Sequence, residues 1–202
     1  MLRSHGFNIP AAPVSMEAFL VSTGIVALAE MGDKTQLLAL ILAARYQKPW
    51  PIVLGIFVAT VFNHALAGAL GAWVTTLLGP EVLRWILGAS FIAMAVWMLV
   101  PDQMDEGETT SAPRLGVFAT TVFAFFLAEM GDKTQIATVM LAAQYHAWAA
   151  VVAGTTLGMM LANAPVVWLG DKITKKVPIR VVHLVSAAIF AVLGVLALLD
   201  WG

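Results

Sequence analysis

The chain has 202 residues, of which 60% are hydrophobic and only 11% are charged. With a mean hydropathy of +0.88, this composition excludes an ordinary soluble domain and is typical of an integral membrane protein. The absence of cysteine excludes a disulfide scaffold and thiolate metal ligands. The net charge of −1 carries no information about partners. We expect no nucleic-acid partner.

The apolar residues fall into six runs that are long enough to cross a bilayer. Residues 1–16 precede them and form a poor signal peptide because Pro10 and Pro13 interrupt any apolar stretch, so we interpret them as a short tail. The sequence therefore predicts an all-α integral membrane protein with six transmembrane helices, at residues 17–45, 51–77, 82–100, 115–145, 148–170 and 179–199.

An acidic segment divides these six spans into two halves. Residues 101–113, PDQMDEGETTSAP, are polar and bounded by prolines, which is typical of a linker. We therefore predict a first three-helix repeat at residues 17–100 and a second at residues 114–202.

Basic residues indicate the orientation in the membrane. Loops on the cytoplasmic side carry an excess of lysine and arginine. Only Arg3 and Arg84 lie on the side of the termini, so both termini are predicted to lie outside a bacterial plasma membrane. The opposite side carries Arg45, Lys48, Arg114, Lys172, Lys175, Lys176 and Arg180.

One segment, LAEMGDKTQ, occurs twice, at Leu28–Gln36 and at Leu127–Gln135. Over the longer stretches 28–46 and 127–145, 13 of 19 positions are identical at a constant offset of 99 residues. Because each half has an odd number of spans, the second half must enter the membrane from the opposite side. The sequence thus predicts inverted repeats, an arrangement typical of transporters, with a substrate site near the midplane.

The two copies place ionisable groups where charge is costly. The four acids are the candidate metal ligands, and the two lysines are their counter-charges, so the ionised cluster carries a net charge of −2. One divalent cation or two protons would neutralise it, and these two states define an exchanger. The acids are Glu30, Asp33, Glu129 and Asp132, and the lysines are Lys34 and Lys133.

A glycine separates the two acids of each copy, Gly32 in the first and Gly131 in the second. The spans that contain them would be roughly 45 Å long as straight helices, against a hydrocarbon core of about 30 Å. A break at the glycine would shorten them and free carbonyl oxygens for an ion. An unbroken helix would still place Glu30 and Asp33 on one face.

Other polar residues repeat near the acids and are candidate additional ligands or supports. The hydroxyls could supply neutral oxygens or bond their own backbone, and the amides could coordinate an ion or bridge helices. His64 has no counterpart in the second half, which favours packing or hydrogen bonding over proton transfer. The repeated residues are Thr35, Thr134, Gln36, Gln135, Asn63 and Asn163.

The doubled AEMGDKT resembles the E-x-G-D-K-[TS] signature of the small two-repeat GDT-type cation exchangers. This family includes bacterial manganese exporters and manganese or calcium transporters of Golgi and plastid membranes. The resemblance covers essentially the whole chain. It implies export of Mn²⁺, with Ca²⁺ as the alternative, in exchange for protons, with Glu30, Asp33, Glu129 and Asp132 as the site and no resident cofactor.

Two other classes stay open on the sequence alone. A channel would lack strict proton coupling, and inverted repeats with buried acids favour an exchanger over it. A membrane-embedded metal-dependent enzyme would need a set of metal ligands with one open position. Such a set usually includes histidine, and neither copy of the motif contains a histidine.

Overall fold

The computed structural model describes residues 14–100, 116–170 and 179–199, and the regular structure within these ranges is α-helical. In chain order, the helices are α1 (Val14–Glu30), α2 (Lys34–Tyr46), α3 (Pro49–Leu77), α4 (Pro80–Trp97), α5 (Val117–Glu129), α6 (Lys133–Tyr145), α7 (Trp148–Leu169) and α8 (Ile179–Leu198). The linker 101–113, most of the tail 1–16, and Arg3, Arg114, Lys172, Lys175 and Lys176 lie outside the described residues.

Four of these helices, α3, α4, α7 and α8, are long and apolar enough to cross a membrane. Helices α1 and α2 together make a fifth candidate, which bends by 70° at its break. Helix α5 is apolar but only 13 residues long, and α6 follows it after a break of the same kind. The structure is thus that of an all-helical membrane protein, while the count of six spans and their inverted arrangement stay predictions.

Each acidic motif coincides with a break between two helices. Helix α1 ends at Glu30 and α5 ends at Glu129. In both breaks the aspartate N–H donates to the glutamate carbonyl three residues earlier, with N···O distances of 3.1 Å for Asp33 and 3.1 Å for Asp132. These four-residue turns therefore occupy the E-M-G-D part of the repeated sequence.

The backbone angles explain why glycine is the third residue of the turn. Gly32 has φ of 84° and Gly131 has φ of 76°. In the second break, Met130 precedes Gly131 and has φ of −63° and ψ of 117°. The Met130 angles and the positive φ of Gly131 are those of a type II turn. Such a turn needs a positive φ at its third residue, which glycine adopts without the steric cost of a Cβ. The E-x-G-D spacing is thus a turn signal inside an apolar run.

The two halves of the chain interlock. Helix α1 packs mainly against α7, and α3 packs against α5, α6 and α7. Glycine permits the close approach of α7 to α1: a Cβ at Gly154 would lie 2.5 Å from the Phe19 carbonyl oxygen, and one at Gly158 would lie 2.6 Å from the Thr23 carbonyl oxygen. Each motif is therefore packed against a long helix of the other half.

The remaining two helices, α4 and α8, pack against each other. Their contact includes Phe91 and Phe190, whose ring centroids are 6.2 Å apart and whose side chains are fully buried. Gly88 and Gly194 let the two backbones come close, because a Cβ at Gly88 would lie 2.4 Å from Leu198. This pair flanks the helices that carry the motifs.

Replacing Gly131 with alanine is expected to lower the free energy of unfolding by about 1–2 kcal/mol, the usual cost of a left-handed conformation for a residue with a Cβ. A Cβ at this position would meet nothing within 4 Å, so the effect isolates the backbone. The matched control is Gly24→Ala inside α1, where a Cβ also meets nothing and alanine favours the helix. Thermal unfolding in detergent, followed by tryptophan fluorescence, measures both. Equal destabilisation of the two variants would contradict the turn assignment.

Candidate metal site

The two breaks bring four carboxylates into the protein interior. Glu30 and Glu129 have no exposed surface, and Asp33 and Asp132 are 5% and 6% exposed. Removing a carboxylate from water costs several kcal/mol unless charge or hydrogen bonds compensate for it. The surroundings of these four groups therefore decide what the site can bind.

Three of the four predicted ligands lie together. One carboxylate oxygen each from Glu30, Asp33 and Asp132 lies within 4.8 Å of the others, and we call these residues the three-acid group. Ligands on opposite sides of a Mn²⁺ or Ca²⁺ ion are about 4–5 Å apart, so one ion could contact all three. The group takes two ligands from the first break and one from the second. Either half alone would hold only part of it.

The fourth acid, Glu129, lies beside the three-acid group. It is close enough to interact electrostatically with Glu30, Asp132 and Lys34. Its Oε1 atom, like Oε1 of Glu30, is buried and has no hydrogen-bond partner among the described residues. The two glutamates thus share one interior region, and each has an oxygen available to a ligand.

The threonines of the motif bond to these glutamates rather than to their own helix backbone. Thr35 donates to Oε2 of Glu30, and Thr134 donates to Oε2 of Glu129 at 3.0 Å. Each hydroxyl bridges the break, because it lies at the start of one half-helix and holds the last residue of the preceding one.

The glutamines of the motif hold the turns. The side-chain oxygen of Gln36 accepts from the Gly32 N–H at 3.0 Å, and that of Gln135 accepts from the Gly131 N–H at 2.7 Å. Each glutamine is the third residue of its helix, and its side chain bonds to a backbone N–H that precedes the helix, as in a capping box. Each glutamine oxygen is thereby used within its own motif.

The glutamine amide groups connect each motif to the other half. Gln36 donates to the Ala162 carbonyl oxygen in α7 at 2.9 Å. Gln135 donates to the side-chain oxygen of Asn63 in α3 at 3.3 Å. These two bonds fix the half-helices α2 and α6 against the long helices that cross them.

The two asparagines both bridge helices, but they do so differently. Asn63 donates to the Phe126 carbonyl oxygen in α5 at 3.1 Å. Asn163 lies 3.2 Å from the Met159 carbonyl oxygen and 3.4 Å from Oε2 of Glu30. Its own oxygen Oδ1 is buried and has no partner among the described residues, so it could also face an ion.

The two lysines also differ, although their neighbours in sequence are identical. Lys34 lies 4.0 Å from Asp132 and so brings positive charge to the acids across the two breaks. Lys133, which is 2% exposed, donates to the Val100 carbonyl oxygen at 3.1 Å and lies 5.9 Å from the ring centre of Trp97. It therefore links the second motif to the end of α4.

The backbone adds positive potential to the site. Asp33 and Asp132 occupy the N-cap positions of α2 and α6 without a side-chain capping bond, with nearly equal φ and ψ values of −79°, 168° and −79°, 167°. A helix N-terminus carries roughly half a positive charge, which stabilises a nearby carboxylate. Both aspartates therefore lie where the helix dipoles favour anions.

Sequence reasoning missed several contributors to the site. The carbonyl groups of Ala162 and Val100 had no signal in the residue pattern, because backbone atoms carry none. His64 is fully buried in α3, and neither ring nitrogen has a hydrogen-bond partner among the described residues. The structure therefore gives His64 no contact with the acids that would assign it a role.

Comparisons with known proteins give the family. The profile of a family described as "Divalent cation/proton antiporter GDT1" matches residues 18–106 and 117–201, which correspond to the two halves. The chain belongs to the GDT1 family. It is therefore a transporter rather than an enzyme, and the predicted resemblance is confirmed.

Curated relatives agree with this membership. A Vibrio cholerae protein named "Putative manganese exporter" is 50% identical over 89% of this chain and 89% of its own length. A GDT1-like protein of Synechocystis is 27% identical over 90% of this chain and 97% of its own length. A rice GDT1-like protein is 29% identical over 92% of this chain and 75% of its own length. No solved structure shows significant similarity to the chain.

Replacing Thr35 with valine is expected to lower the free energy of unfolding by about 1–3 kcal/mol, because this near-isosteric change removes a donor from a buried carboxylate. The matched control is Thr23→Val in α1, where the hydroxyl donates to the Phe19 carbonyl of its own helix at 2.7 Å. That carbonyl keeps its helix bond, so the control is expected to unfold like the unmodified protein. Equal melting temperatures of the two variants in detergent would argue against the Thr35–Glu30 bond.

Proposed function

We propose that this GDT1-family protein exports Mn²⁺ in exchange for protons by alternating access. The observation that carries the proposal is the three-acid group, in which carboxylates from both breaks lie close enough together to share one ion. The full set of proposed ligands is Glu30, Asp33, Glu129 and Asp132.

Charge supports a divalent cation as the substrate. The four proposed acids and the two motif lysines, Lys34 and Lys133, carry a net charge of −2 when all six are ionised. A divalent ion neutralises this charge, whereas a monovalent ion leaves one negative charge buried. Two protons would neutralise it equally well, which is the physical basis for exchange.

The proposed cycle follows from competition for the same oxygens. Mn²⁺ enters from the cytoplasmic side and displaces protons from the acids. The half-helices and the long helices packed against them then shift, and protons from the outer side displace the metal. Proton coupling agrees with the description of the family as divalent cation/proton antiporters.

Manganese is proposed ahead of calcium because of the relatives rather than the ligands. Carboxylate oxygens suit Mn²⁺, Ca²⁺ and Mg²⁺ alike. The name of the Vibrio cholerae relative refers to manganese export. A Ca²⁺/H⁺ exchanger with the same site is the second candidate.

The other polar residues of the motif are proposed to support the ligands. The oxygens of Gln36 and Gln135 already accept from glycine N–H groups, so we assign them to holding the turns. Thr35 and Thr134 orient the glutamates. We assign charge compensation to Lys34 and anchoring of the second break to Lys133.

The proposal is tested by uptake of Mn²⁺, Ca²⁺ and Mg²⁺ into proteoliposomes under an imposed pH gradient, with a pH-sensitive dye inside. We expect Mn²⁺ uptake that requires the gradient and dissipates it. Uptake of Ca²⁺ but not of Mn²⁺ would favour the second candidate, a Ca²⁺/H⁺ exchanger. Uptake that leaves the internal pH unchanged would contradict proton exchange.

In the same assay, Glu30→Gln and Glu129→Gln are each expected to abolish metal-dependent proton movement, because glutamine keeps the side-chain shape but neither binds a divalent ion strongly nor exchanges a proton. Glu81→Gln in the exposed first turn of α4 is the matched control and is expected to transport normally. Normal exchange by both site variants would refute the proposed roles.

A further inference from the structure

Helix α7 brings a sulfur atom close to Glu30. The Sδ atom of Met159 lies 2.9 Å from Nδ2 of Asn163, and the same Nδ2 lies 3.4 Å from Oε2 of Glu30. The sulfur and the carboxylate oxygen are therefore at most 6.3 Å apart, the sum of these two distances. Met159 has no exposed surface and belongs to the same buried cluster as Ala128, the residue before Glu129. A thioether is thus held in the interior beside the proposed ligands.

The asparagine amide does not use up the bonding capacity of this sulfur. Nδ2 of Asn163 lies near three acceptors, which are Sδ of Met159, the Met159 carbonyl oxygen and Oε2 of Glu30. A carboxamide has two hydrogens for these three acceptors, and a thioether is a weak acceptor. The sulfur also has two lone pairs, so one stays available to a metal ion even where the amide donates to the other.

The same face of α7 offers an oxygen as well. Met159 and Asn163 are four residues apart in one helix, which places their side chains on one face. Oδ1 of Asn163 is buried and has no hydrogen-bond partner among the described residues, and the same holds for Oε1 of Glu30 and of Glu129. Amide oxygens are ligands that hard divalent cations accept. Helix α7 can therefore contribute one oxygen and one sulfur to a bound ion.

The sulfur enters from one half only. The asparagine-bearing helices correspond at an offset of 100 residues, so the equivalent of Met159 is Ala59, which is also buried but has no side-chain heteroatom. The methionines inside the two motifs are placed differently, because Met130 is 56% exposed and Met31 is only partly buried. Met159 thus breaks the symmetry of the two repeats in the chemistry of its side chain.

From these contacts we infer that Met159 is a metal ligand that discriminates between divalent ions, favouring Mn²⁺ over Ca²⁺ and Mg²⁺. This inference rests on the proposed exchange function and names the residue that sets its substrate preference. Carboxylate oxygens suit the three ions alike, so the four acids do not select among them. A thioether is a soft, polarizable ligand, which Ca²⁺ and Mg²⁺ bind poorly and transition-metal ions tolerate.

The flexibility of methionine lets the sulfur reach the ion. Ligands on opposite sides of a Mn²⁺ ion are about 4–5 Å apart, and the upper limit for the sulfur and the Glu30 oxygen is 6.3 Å. Methionine is unbranched with three rotatable side-chain bonds, so rotation of Met159 can make up the difference. The thioether is neutral and does not titrate. It therefore changes which metal is preferred without changing the charge that protons and metal share.

Cd²⁺ and Ca²⁺ have the same charge and nearly the same radius but differ in softness, so the ratio of their affinities reports a sulfur ligand. Met159→Leu keeps the side-chain volume and removes the sulfur. It is expected to weaken Cd²⁺ binding by roughly tenfold, the lower end of the cost of losing a partner at a metal site, and to leave Ca²⁺ affinity unchanged. Isothermal titration of the full-length protein in detergent measures both.

The matched control is Met160→Leu, the same change at the next residue, whose side chain lines a cavity between α3 and α7 instead. It is expected to leave both affinities unchanged, and melting in detergent checks the fold of each variant. Equal losses of Cd²⁺ and Ca²⁺ affinity in Met159→Leu would show a merely structural role. Equal effects of the two substitutions, or no effect of either, would also overturn the inference.

A second measurement needs no variant to fold. The chain contains no cysteine, so any sulfur bound to Cd²⁺ must belong to a methionine. X-ray absorption of the unmodified protein with one equivalent of Cd²⁺ is expected to show a sulfur neighbour, and Met159→Leu is expected to lose it. A Cd²⁺ ion surrounded only by oxygen in the unmodified protein would overturn the inference.

Metal uptake into proteoliposomes separates this inference from the proposed function. Met159→Leu is expected to keep proton coupling while its preference for Mn²⁺ over Ca²⁺ falls. An unmodified protein that takes up no Mn²⁺, Ca²⁺ or Mg²⁺ under a pH gradient would refute the function, even if Cd²⁺ binds to sulfur. Normal exchange by the unmodified protein, with the same ion preference in Met159→Leu, would refute only the role of the thioether.

Discussion

The burial of four carboxylates at two breaks in apolar helices is the constraint on which the rest of the structure depends. A carboxylate in a low-dielectric interior is tolerated only where charge, dipoles or donors compensate for it. The site supplies all three, through Lys34, the N-termini of α2 and α6, and the threonine and asparagine donors. In the proposed function, a bound cation would supply the remaining positive charge.

The repeated sequence can be understood residue by residue. Glutamate ends one helix, glycine turns the chain at positive φ, and aspartate begins the next helix. Threonine reaches back to the glutamate, and glutamine reaches back to the glycine N–H. The turn, the helix start and the proposed ligands thus come from one short stretch, and the tertiary structure needs only to bring two such stretches together.

Much of this was predictable from sequence, because it is local. The apolar runs, the glycine break and the pairing of acids from the two copies follow from residue type and spacing. The unequal contacts of Lys34 and Lys133 were not predictable, since both lie in the same nine-residue sequence. Their difference arises from neighbours far away in the chain, such as Val100 at the end of α4. The same holds for Asn163, whose contact with Glu30 depends on how α7 crosses α1.

The interlocking of the halves has an evolutionary consequence. The amides of Gln36 and Gln135 each find their acceptor in the other half, at Ala162 and Asn63. A half-length ancestor would have lacked these acceptors within its own chain and would have found them in a second copy of itself. Fusion of two such copies into one gene would then have allowed each asparagine and each lysine to acquire its own set of neighbours.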